Sequence, residues 1–64
     1  MKYYEVIGKD TNEDWITIQS PIKTLKEAIK VAKHQDKKIY TTIDINLIID
    51  DDLTETYDEN GKVR

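Results

Sequence analysis

The chain contains no cysteine and no phenylalanine, and only one proline, two glycines, one tryptophan and one histidine among 64 residues. Without cysteine there is no disulfide and no thiolate metal site. A domain of this size buries only about 60% of the surface its unfolded chain exposes. Lacking staples, it must rely on good packing or on self-association. His34 is the sole histidine and Ser20 the sole serine, so no Ser/His/Asp set can be assembled. Their plainer roles are local: His34 near a helix end, Ser20 closing a strand. Gly8 and Gly61 stand far apart in the chain and form no phosphate-cradling loop. No apolar run nears the roughly 20 residues of a membrane span, and residues 1–10 turn polar too soon for a secretory segment. The expectation is a soluble, cytoplasmic, non-enzymatic domain with no cofactor and no small-molecule substrate.

Charge is plentiful but unevenly placed. Ten basic and thirteen acidic residues give a net charge of −3. Residues 23–38 carry six lysines, whereas residues 44–59 carry seven acids and no base. The net acidity argues against a dedicated nucleic-acid binder. Lys26, Lys30, Lys33 and Lys37 line one helix face and are the alternative surface for phosphates. Arg64 is the only arginine, and direct base readout normally wants Arg, Asn or Gln. Lysine over arginine, and ten isoleucines against three leucines, is the bias an AT-rich coding sequence produces. It suggests a bacterial or phage origin.

The strongest pattern lies in residues 38–50. Ile39, Thr41, Ile43, Ile45, Leu47 and Ile49 alternate with Tyr40, Thr42, Asp44, Asn46, Ile48 and Asp50. A period of two, rich in β-branched side chains, predicts a strand whose odd face meets a core. Residues 2–7 form a first strand bounded by Gly8, with Tyr4 and Val6 inward and Tyr3, Glu5 and Ile7 outward. Residues 15–19 form a second, with Ile16 and Ile18 on one face and Trp15, Thr17 and Gln19 on the other; Ser20-Pro21 stops it.

Thr24-Leu25-Lys26-Glu27 matches a capping box, and Leu25, Ala28, Ile29 and Ala32 form an apolar stripe. A helix over about 25–35 follows, with Val31 at the border of the stripe. A fourth strand covers 53–57. Asn60-Gly61 then turns a short hairpin, in which a bulged register pairs Tyr57 with Val63 and Asp58 with Lys62. The order β-β-α-β-β with right-handed crossover gives a two-layer α+β fold. One helix covers one face of a four-stranded antiparallel sheet of order 2-1-3-4.

A single helix leaves the second sheet face open. On these assignments it carries Tyr3, Ile7, Trp15, Tyr40 and Ile48 among polar residues. Cross-strand aromatic pairing on a solvated face is one reading, and a contact surface for a protein partner or a second copy is the other. A base-stacking platform fits less well, because no basic residue interleaves with the aromatics. Tyr3, Trp15, Tyr40 and Ile48 are therefore the candidate contact residues.

Asp50, Asp51, Asp52 and Glu55 form a candidate acidic contact. Their spacing fails the calcium-loop pattern, with Glu55 and Gly61 where glycine and glutamate belong. The turn before strand four has two solutions. A three-Asp turn opposes Ile49 to Leu53 and faces Glu55 and Tyr57 to the core. An Asp51-Asp52 turn sends Leu53, Glu55 and Tyr57 to the open face.

Overall fold

The computed structural model describes residues 1–64. Along the chain lie β1 (Lys2–Asp10), β2 (Trp15–Ile22), α1 (Leu25–Lys33), β3 (Tyr40–Ile49) and β4 (Asp52–Asp58). The strands form one sheet in the order β2-β1-β3-β4, each antiparallel to its neighbour, and α1 packs on one face. The fold is two-layer α+β, as the sequence pattern predicts.

The helix starts where its cap is. Thr24 is extended, and its hydroxyl accepts from the Glu27 backbone N–H at 3.2 Å, satisfying one of the orphan donors of the first turn. Ala28 and Ala32 are fully buried. Their small side chains let the helix backbone approach the sheet closely, while half-buried Leu25, Ile29 and Val31 flank the contact. The helix ends at Lys33, sooner than the expected 35, with His34 as its C-cap. The His34 ring Nδ1 lies 2.7 Å from the Lys30 carbonyl. A carbonyl only accepts, so Nδ1 carries the proton.

Inside, Tyr4, Val6, Ile22, Ile43, Ile45 and Leu47 meet the two alanines. Val6 and Ile45 have no exposed surface, and each such side chain contributes about 1.5–3 kcal/mol relative to exposure.

Bulges change several face assignments. In β3, Lys9 opposes Thr42 but Asp10 opposes Tyr40, so Thr41 is an extra residue and its hydroxyl donates to the Lys9 carbonyl. The slip turns Tyr40 to the helix side, where it joins the core margin; its expected place on the open face is corrected. Ile39 and Thr41, expected inward, are exposed. Gly8 lies within β1, which continues to Asp10. A Cβ at Gly8 would sit 2.5 Å from Tyr40 Cδ1 and 2.9 Å from Ile18 Cδ1. The glycine therefore makes room for the tyrosine.

In β2, Ile18 is the extra residue between Thr17, opposite Ile7, and Gln19, opposite Val6. The strand does not stop at Ser20-Pro21 but continues to Ile22, which is 3% exposed and opposes Tyr4. Proline is tolerated because β2 is an edge strand with one side unpaired.

Strand four follows neither expected turn. Ile49 opposes Asp52 across a two-residue turn of Asp50 and Asp51, both in the left-handed region at φ 50° and 69°. This is the hairpin geometry that matches strand twist, and aspartate tolerates it. Thr54 is then skipped between Leu53, opposite Ile48, and Glu55, opposite Leu47. Leu53 thus faces the open side while Glu55 and Tyr57 face the helix side. The terminal hairpin takes the bulged register: Tyr57 bridges Val63, and the Asp58 N–H donates to the Lys62 carbonyl at 2.7 Å. Gly61, at φ 85°, docks where a Cβ would fall 2.5 Å from Ile29 Cδ1.

Candidate interaction surface

The strand registers arrange the open face in four cross-strand rows. The first is apolar: Tyr3, Ile48 and Leu53. The second is polar: Glu5, Asn46 and Thr56. The third holds Thr17, Ile7, Asp44 and Asp58, and the fourth Trp15, Lys9 and Thr42. Tyr3 and Lys9 lie six residue steps apart along β1, or about 20 Å at ~3.4 Å per residue. The two remaining aromatics, Tyr3 and Trp15, therefore stand at opposite ends of the face.

The middle rows are tied together. Asn46 donates to Glu5 Oε1 at 3.1 Å and accepts from the Thr56 hydroxyl at 2.9 Å. The Arg64 Nε donates to Asp44 Oδ1 at 2.8 Å, and the Arg64 N–H reaches the Thr56 carbonyl. Asp44 and Asn46 are only 9% and 8% exposed, yet each has partners, as buried polar groups require. The Arg64 side chain thus covers part of the face that a lone helix leaves bare.

The ends differ in exposure. In the first row Ile48 is buried, Tyr3 half-buried and Leu53 60% exposed. In the fourth, Trp15 is 49% exposed, with the Lys9 ammonium 5.9 Å from its ring centroid, a cation–π distance.

The acids do not act as one patch. Asp50 pairs with the Met1 amine, Asp44 with Arg64, and Glu59 with Lys37. The Asp58 carboxylate accepts from the Asn60 and Lys62 backbone N–H groups. These bonds hold its pKa below the usual carboxylate value: the Lys62 N–H leads, against an opposing desolvation, with Asn60 and the Arg64 and Lys62 charges adding to the fall. Asp51, Asp52 and Glu55 form no ion pair. Glu55 lies on the helix side beside Tyr57, whose phenol is pushed up by burial first, then by Glu55 and Tyr4. The four expected acidic contact residues therefore divide between turn and helix side. No three His, Asp or Glu side chains converge to hold a metal ion, and no pocket indents the surface.

Lys26, Lys30 and Lys33 lie exposed on α1. Lys37 does not join them, because the helix has ended, and it pairs with Glu59. Leu53 is not among the expected contact residues; its place beside Ile48 is set by the two-residue Asp50-Asp51 turn. Comparison with protein-family models, curated proteins and solved structures returned no match.

Proposed function

We propose that the chain is a small non-enzymatic protein-interaction module, cytoplasmic and of bacterial or phage origin, that engages a protein partner through the first row of the open face. The observation that carries this reading is Leu53, a large aliphatic side chain 60% exposed beside Ile48 and Tyr3. A leucine on water gains most from a partner that covers it. Asp51 and Asp52 flank the row with unpaired charge, which suits an apolar partner surface with a basic rim. Trp15, at the far end, lies outside this contact.

Photo-crosslinking in the native host tests the proposal. A crosslinker at Leu53 should capture a discrete species that one at Lys26 on the helix does not. Tyr3→Ser and Asp51→Asn/Asp52→Asn should each diminish that species. Equal capture from both positions, or none at Leu53, rejects the open face as the contact.

A further inference from the structure

The two edges of the sheet are finished differently. Along β4, residues 62–64 pair with the outer side of Thr56–Asp58 through the Asp58-to-Lys62 and Arg64-to-Thr56 backbone bonds, and Asp52 and Glu55 place charge on the remainder. Long, uncharged edges invite pairing with other chains, and charge or a covering segment normally prevents it. The β2 edge has neither. Trp15–Ile22 is an uncharged run of eight residues in a chain that is 36% charged, and no longer uncharged run occurs in the sequence. Nothing in the chain pairs with its outer side.

We infer that β2 is a homodimerisation edge, joining two copies antiparallel across a two-fold axis into one eight-stranded sheet. The occupant is a second copy because an antiparallel strand is complementary to itself under two-fold symmetry, and because no like charges oppose each other along an uncharged strand. The regular segment is Trp15–Thr17, which opposes Lys9, Gly8 and Ile7 one to one before the bulge at Ile18. Centring the axis on Ile16 lays the two Ile16 side chains together on the helix side. Trp15 then lies beside Thr17 of the second copy on the open side. Trp15 and Ile16, 49% and 43% exposed, are covered in one step. The bulge and Pro21 end the pairing, so the contact is small and the dimer weak.

This inference stands on a different surface from the partner contact at Leu53, and the experiment separates them. Sedimentation equilibrium of the wild type from about 10 µM to about 1 mM should show a monomer–dimer equilibrium, the range a contact of this size occupies. Over that range, amide hydrogen exchange should slow in β2 and stay constant in β4. Ile16→Lys opposes two charges across the axis and should weaken association by about fivefold; Ile16→Val should not. Leu53→Asp should leave the dimer intact. A wild type that stays monomeric, with β2 amides exchanging equally fast throughout, overturns the inference. So does a dimer that survives Ile16→Lys, or one that Leu53→Asp dissolves. Should Ile16→Lys fail to fold, the exchange of wild-type β2 amides decides alone.

Discussion

The two faces of β3 are buried to similar depth by unlike means. On the helix side, Ile43, Ile45 and Leu47 are 2%, 0% and 8% exposed; on the open side Asp44, Asn46 and Ile48 are 9%, 8% and 8%. A helix accounts for the first set. The second is enclosed by side chains of the neighbouring strands and by the Arg64 side chain, and its centre is hydrogen-bonded instead of apolar. Low exposure therefore does not mark a single kind of core. Apolar burial resists water through lost contacts and an unfilled cavity. A bonded polar pair resists only by the net worth of its bonds.

Three measurements test that contrast. Ile45→Ala should have the largest effect, lowering unfolding free energy by about 2–5 kcal/mol in urea denaturation, a large share of what a domain this size has. Asn46→Ala removes the bonds to Glu5 and Thr56, whose groups retain access to water, and should cost about 1–2 kcal/mol. An equal or larger loss for Asn46→Ala would break the contrast. The smallest effect is acid sensitivity of the terminal turn. The Asp58 pKa is lowered in the folded chain, so its contribution is present above the unfolded value near 3.8 and lost as pH falls through the lower folded value. In a titration followed by NMR, the Lys62 amide should move with the Asp58 carboxyl at a pH below the ordinary aspartate range, while β3 amides stay put. Coincident loss of both regions would show the turn is not a separate unit.

Much of the architecture could be read from residue order. Alternation over 43–49 is long enough to specify a strand and its inward face. Thr24 marked the helix start, because a cap is a local hydrogen bond. The terminal hairpin was resolved by matching Tyr57 with Val63 and Asp58 with Lys62, which needs only neighbours in sequence. What escaped were the single-residue slips: two in β2, at Ile18 and at Ser20-Pro21, and one each at Thr41 and Thr54. Each reverses the facing of the residues beyond it, and that is why Tyr40 leaves the candidate surface and why Glu55 and Tyr57 face the helix side although Leu53, set by the Asp50-Asp51 turn, faces the open side. Gly8 carried the one usable signal: a glycine inside a strand marks close approach by another group.

Strand periodicity, capping and turn chemistry depend on bonds among residues a few positions apart, so the chain by itself determined its elements, their order and the single covering helix. Bulge positions depend on whatever lies across the sheet, since an extra residue costs little locally and is settled by the packing it improves. Only the tertiary structure decided that Tyr40 fills the space over Gly8, that Arg64 closes on Asp44, and that β2 is the edge left neither covered nor charged.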